Sequence, residues 1–350
     1  MSRTAVLLCP GRGSYRATEL GYLSRPAPAE ARSRLDAAID RADGLRTARG
    51  DLTIRGMDGA PKFRSELFAG ENASALTFAC AAFDALRLDR GEIEPVAVGG
   101  NSLGWYSALF VGGVLDLDNA FELVETMGGM MRRGPLGAQI IYPLVDDQWR
   151  LHGSRRQVVD AALDAVAESG GRAGWSIRYG GFAVLWADDD AVETLLAALP
   201  GIELGEREYP LRLPDHSAFH SPLMAAASAR GLDQLASLPW RQPALPLIDG
   251  RGAQWRPLSC NPEQLCQYTL GTQVLNVFDF TAAVRVALHE YAPERLVLLG
   301  PGDTLFSAVA QVLIAERWQG IDSREAFLER QQAEPFVLSM ARAEQAVVKS

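Results

Sequence analysis

The stretch Val96-Ala-Val-Gly-Gly-Asn-Ser-Leu-Gly-Trp-Tyr-Ser-Ala-Leu-Phe110 constrains this chain more than any other. Val96 to Val98 is a short apolar run of the kind that forms a buried strand, and Gly99 and Gly100 break it. Gly100-Asn-Ser102-Leu-Gly104 then fits G-x-S-x-G, and the residues from Trp105 onward read as a helix. Strand, tight turn and helix is the setting in which that pattern makes a nucleophile elbow. Glycine is needed on both sides because a Cβ would clash in so sharp a turn. The turn lifts Ser102 Oγ clear of the backbone and brings the Leu103 N–H to a helix N-terminus, where it can stabilise an oxyanion. A Gly-rich turn with an incidental serine would show the same letters, so a base must be sought elsewhere.

Composition excludes several classes. With 350 residues, 48% of them hydrophobic, the chain can build one large domain or two around a sizeable core. A formal net charge of −9 speaks against general nucleic-acid binding. No apolar run reaches the roughly 18 residues of a membrane span. The apolar run at Thr4 to Cys9 is too short for a signal peptide and reads as a first strand. Cys9, Cys80, Cys260 and Cys266 are scattered and form no C-x-x-C pair. That usage suits reduced thiols in a cytoplasm, with no disulfide frame and no metal site.

Along the chain, Glu30 to Ala42 and Asn72 to Leu88 read as helices, as do Asn119 to Arg133, Ser217 to Leu235, Phe280 to Tyr291 and Thr304 to Ala315. From Gly134 the pattern changes. Ile140 to Val145 is a strand, Arg155 to Ser169 a helix, Trp175 to Trp186 a strand pair broken at Gly180-Gly181, Asp188 to Leu199 a helix and Glu208 to Leu213 a strand. This β-α-β-β-α-β order is the ferredoxin-like arrangement, inserted into a larger α/β domain. The expected division is 1–135 with 214–320 for the large domain, 136–213 for the small one and 321–350 for a tail.

A nucleophilic serine needs a base. His152 and His289 sit in polar or charged runs that read as solvated surface. His216 and His220 lie in Pro214-Asp-His-Ser-Ala-Phe-His-Ser-Pro-Leu-Met224, after a strand, where catalytic residues collect. On spacing alone the two are equal candidates.

The chain resembles the malonyl-CoA:acyl carrier protein transacylase family, which includes the acyltransferase domains of polyketide synthases. The resemblance rests on Pro10-Gly-Arg-Gly-Ser14, the Gly100-Asn-Ser-Leu-Gly104 elbow, Ala218-Phe-His-Ser-Pro-Leu-Met224 and Gly300-Pro-Gly302, in that order from about Thr4 to Ala315. It implies a large α/β hydrolase-like domain with an inserted ferredoxin-like one. It also implies Ser102 as acyl-accepting nucleophile, His220 as base, and the backbone N–H groups of Leu103 and Arg12 as oxyanion donors. Gln273, in Gln273-Val-Leu-Asn276, would orient His220 through its main-chain carbonyl. Asp279 could instead complete a triad, but it reads better as the N-cap of the helix at Phe280. No metal or redox cofactor is implied. The substrates would be acyl-CoA or phosphopantetheine thioesters, and the partner an acyl carrier protein.

The departures bear on substrate. Asn101 and Trp105 replace the His and Glu that usually flank the elbow serine, and Arg12 replaces a Gln. Met127 stands where the family has the Arg that pairs with the malonyl carboxylate, which makes that wall apolar and pliable. An uncharged acyl group, acetyl or longer, is therefore expected. Arg178 stands where an Asn is common, and either it or Arg12 could restore a cation or meet a pantetheine phosphate. Three readings follow: an acyltransferase loading a carrier protein, a hydrolase clearing acylated carriers, and a decayed carrier-binding scaffold. Arg132-Arg133 and Arg155-Arg156 are candidate docking patches for an acidic carrier.

Overall fold

A computed structural model describes residues 2–130, 132 and 134–349. Its thirteen strands are β1 (Arg3–Cys9), β2 (Ile93–Gly100), β3 (Ala138–Pro143), β4 (Ala173–Tyr179), β5 (Phe182–Ala187), β6 (Ile202–Leu204), β7 (Arg207–Tyr209), β8 (Leu211–Arg212), β9 (Leu247–Ile248), β10 (Gln254–Trp255), β11 (Phe278–Asp279), β12 (Arg295–Leu298) and β13 (Val337–Ser339).

One sheet has the order β10-β9-β2-β1-β12-β13, parallel throughout except for the β10–β9 pair. Its central strands are apolar runs because helices cover both faces. In the β1–β2 register Cys9 sits beside Gly100. The loop at 10–14 and the elbow at 101–104 therefore leave the sheet side by side at the carboxyl ends of adjacent strands, where open α/β sheets place their sites.

The second sheet runs β11-β4-β5-β3-β8. Its β3, β4, β5 and β8 are antiparallel neighbours with the helices Gly153–Glu168 and Val192–Ala198 between them in sequence, which is the ferredoxin-like topology. Strand alternation divides the sheet into two surfaces. Ile140, Ala183 and Leu185 pack with Val159, Val166 and Leu195 of the two helices. Ile141, Ile177 and Val184 face the other way, toward the large sheet. Together these layers are the large α/β unit with a small ferredoxin-like one that the sequence led us to expect.

Some elements differ from expectation. The helix expected from Ser217 begins at Ala225, after a 3₁₀ turn at Pro222–Met224. Ser221 caps that turn, and Pro222 disfavours helical geometry at the residue before it, so 214–221 stays a loop. The strand expected at Glu208 to Leu213 is split at Pro210, which has no N–H to give a ladder. The 321–350 segment, expected as a tail with a possible helix, holds the helix Arg324–Ala333 and, beyond expectation, β13, which extends the large sheet beside β12. β11, from 278–279, joins the small sheet. No helix of the described residues is long and apolar enough to cross a membrane.

Candidate active site

The elbow is locked by close backbone approach. A Cβ on Gly100 would lie 2.2 Å from the Gly104 carbonyl oxygen, and one on Gly104 would lie 2.1 Å from that of Cys9. Ser102 is held at φ 53°, in the left-handed region that a non-glycine residue adopts at a cost. The helix Gly104–Val111 is pinned from behind by Trp105, fully buried, whose Nε1 donates to Thr269 Oγ1 at 2.9 Å.

Ser102 Oγ meets His220 Nε2 at 2.8 Å, and His220 Nδ1 meets the Gln273 carbonyl at 2.6 Å. A carbonyl only accepts, so Nδ1 carries the proton and Nε2 is left to accept from Ser102. Among the described residues no carboxylate bonds the ring. Gln273 lies in the last turn of a helical segment ending at Leu275, where carbonyls lack intrahelical donors. A π turn at Tyr268–Thr272 immediately precedes it. The Gln273 side chain also reaches the elbow, its Nε2 donating to the Ser102 carbonyl at 3.2 Å. His220 is itself at φ 59°.

Burial pushes the His220 imidazole from 6.5 down to about 4, and the Gln273 hydrogen bond only partly opposes this. The ring is therefore neutral, and able to take a proton, at neutral pH. Any reaction in which His220 takes the Ser102 proton should hold as pH falls toward 5 and drop to half near pH 4, not near 6.5, in a pH series of kcat/KM. The folded ring is harder to protonate than the unfolded one. Stability from this group is thus complete above about pH 6.5 and is lost as pH falls toward 4.

Leu103 and Arg12, the expected oxyanion donors, both line the cavity into which Ser102 opens. Neither backbone N–H has a partner among the described residues. The loop carrying Arg12 is tied to the loop carrying His220. Arg12 Nη2 donates to the Asp215 carbonyl at 2.6 Å, and the His216 ring lies against the Arg12 main chain. His216 Nδ1 donates to the Pro214 carbonyl at 2.7 Å. Burial, then the Arg12 charge, push this imidazole down to about 3. His216 thus sits between the two loops and forms no hydrogen bond with Ser102 among the described residues.

The cavity encloses about 560 Å³ between the two sheets. Met127, on the helix Leu117–Gly129, and Asn101 line it. Asn101 Oδ1 is buried and has no partner among the described residues. Arg178 does not line it. Its neighbours on β4, Ile177 and Tyr179, do, and strand alternation turns Arg178 to the opposite face, where it pairs with Asp279 at 3.0 Å. Asp279 caps the helix Phe280–Tyr291 by accepting from Ala282 N–H. Sequence reasoning missed the apolar wall of Ile141, Ile177 and Val184, and also Arg16 and Arg207. Of the docking candidates, Arg132 is paired with Asp51, Arg155 is bonded to the Val145 carbonyl, and Arg156 lies over the Trp175 ring and beside Asp160. Arg133 lies outside the described residues.

No protein-family model matches the chain. Among curated proteins it is similar to the malonyl CoA-acyl carrier protein transacylase of Escherichia coli K12, 25% identical over 240 residues, 68% of this chain and 73% of the relative. It is also similar to the polyketide synthase GfsB of Streptomyces halstedii, 26% identical over 215 residues, 61% of this chain but 4% of that protein. Among solved structures, FabD of Acinetobacter baumannii superposes with a TM-score of 0.71 at 22% identity, covering 99% of this chain and 96% of that one. A malonyl-transacylase solved in complex with its type II polyketide synthase acyl-carrier protein gives 0.69 at 22% identity, covering 89% and 93%. In architecture and in curated relatives alike, this chain is similar to the malonyl-CoA:acyl carrier protein transacylases and the acyltransferase domains of polyketide synthases.

Proposed function

We propose that this chain is an acyltransferase that moves an acyl group from acyl-CoA or an acyl carrier protein, through an ester on Ser102, to a carrier-protein thiol. The observation that carries this is the line from Ser102 Oγ through the His220 ring to the Gln273 carbonyl, opening into the cavity. His220 Nε2 takes the hydroxyl proton as Oγ bonds to the thioester carbonyl carbon. The resulting oxyanion is held by the Leu103 and Arg12 N–H groups, each such donor being worth about 2.7–4 kcal/mol in comparable sites. The C–S bond breaks, and the leaving thiolate takes the proton from His220. An incoming thiol then repeats these steps in reverse. The chemistry needs no cofactor beyond the thioester and the thiol. A carrier protein is proposed as partner because a structural neighbour was solved with one.

The preferred acyl group is proposed to be uncharged. Met127, 2% exposed, lines the cavity and offers a carboxylate no hydrogen bond. The Arg12 guanidinium, which also lines the cavity, favours a second reading in which an anionic acyl group is held there. Turnover of malonyl-, acetyl- and hexanoyl-CoA with a holo acyl carrier protein decides between them. Acetyl or hexanoyl transfer should exceed malonyl transfer by at least about tenfold, the loss expected when a carboxylate lacks its charged partner. Faster malonyl transfer establishes the second reading. Free acid in place of acylated carrier identifies a hydrolase.

A further inference from the structure

The cavity carries more positive charge than Ser102 and His220 require. Among the described residues Arg12, Arg16 and Arg207 line it, against one lining carboxylate, Asp303, which Arg342 already engages at 2.8 Å; Asp215 and Glu71 act on Arg12 from outside the lining. This concentration of cations sits on a chain of net charge −9. Arg12 is held by the Asp215 carbonyl. Arg16 and Arg207 are exposed, and neither forms an ion pair among the described residues. Arg16 is steadied by its own loop, its Nε donating to the Gly13 carbonyl at 3.3 Å. Arg207 stands on β7, in the β6–β7 hairpin of the small unit. The two residues are 191 positions apart in sequence, yet both line the same cavity.

We propose that Arg16 and Arg207 form a phosphate-binding site at the rim of this cavity, which grips the phosphate ester of a pantetheine-bearing thioester. The inference rests on the acyl-transfer reading. Guanidinium groups bind phosphate oxygens through paired, charge-assisted hydrogen bonds, and their field is strengthened in a concave site. Exposure puts these two at the solvent end, whereas Met127 and Ser102 lie within. That order matches a donor whose acyl end is apolar and whose far end is anionic. CoA and a carrier protein's phosphopantetheine arm share this chemistry.

The test is calorimetric binding of free CoA, 4′-phosphopantetheine and pantetheine to the full chain and to the Arg16→Gln/Arg207→Gln double variant. The double variant should bind CoA at least about tenfold more weakly, the scale of a lost charge-assisted hydrogen bond, while pantetheine affinity stays the same. Equal loss for phosphopantetheine and CoA assigns the site to the 4′-phosphate; loss for CoA alone assigns it to the nucleotide phosphates. Arg16→Lys/Arg207→Lys should recover part of the affinity, and added salt should weaken CoA binding to the unaltered chain more than to the Gln variant. Unchanged CoA binding, or equal loss for pantetheine, overturns the proposal. Because free CoA is not turned over, this readout survives even if no acyl group ever reaches Ser102.

Discussion

Ser102→Ala should abolish the acyl adduct and lower transfer by at least about 10⁴-fold, the scale seen when a nucleophile working with a histidine is removed. Intact-mass measurement after incubation with an acyl-CoA panel would show an adduct on the unaltered chain and none on the variant. An adduct that persists in Ser102→Ala would move the nucleophile elsewhere and remove the basis of the proposed chemistry. The same position makes a second, opposite prediction about stability. Ser102 sits at φ 53°, so Ser102→Gly should relieve backbone strain and leave the protein about 1 kcal/mol more stable while inactive. A midpoint shift in urea at constant slope would report it. Stability and reactivity are thus set against each other at one residue.

Arg46→Ala should cost about 3–5 kcal/mol, the usual penalty for removing one member of a buried ion pair. Arg46, on the helix Ala29–Arg49, is fully buried. It donates to Glu125 Oε1 at 2.6 Å, to Asn72 Oδ1 at 2.5 Å, and to the carbonyls of Leu52 and Glu71. Removing it strands several acceptors at once. Arg49 still reaches Glu125 Oε2 at 2.6 Å, but it approaches from the surface and does not reach the acceptors that Arg46 leaves. The cluster joins three helices, and Glu125 lies two residues before Met127 on the helix that walls the cavity. Denaturant unfolding of Arg46→Ala, Glu125→Ala and the double variant should show the double losing less than the sum of the singles. An Arg46→Ala midpoint unchanged from that of the unaltered chain would show that the cluster contributes nothing.

Local signals carried much of this in the sequence. The elbow is legible because close packing dictates its glycines, and the helices at 280–291 and 304–315 because their apolar period is regular. His220 could be separated from His216 only by resemblance, since both stand in one irregular loop and the ring that meets Ser102 is chosen by tertiary packing. Gln273 acts through a main-chain carbonyl, to which its side chain gives no clue. Arg178 was misplaced because an alignment position says nothing of which face of β4 it takes; the alternation of Ile177 and Tyr179 settles that. Strands of two residues, such as β9 and β11, are too short for any period to show. Arg16 and Arg207 went unnoticed because nothing local says that a loop after β1 and a distant hairpin face one space.

The two sheets divide the labour of the cavity. Ser102, the proposed nucleophile, belongs to the β2 elbow, whereas Ile141, Ile177 and Val184 belong to the small unit and touch neither Ser102 nor His220 through a hydrogen bond. Drift at those three positions can therefore lengthen, shorten or reshape the chamber one methyl group at a time without disturbing proton transfer. On the proposed chemistry, a lineage built this way can change its cargo while its reaction stays fixed, and the small sheet is where descendants handling different chains would first diverge.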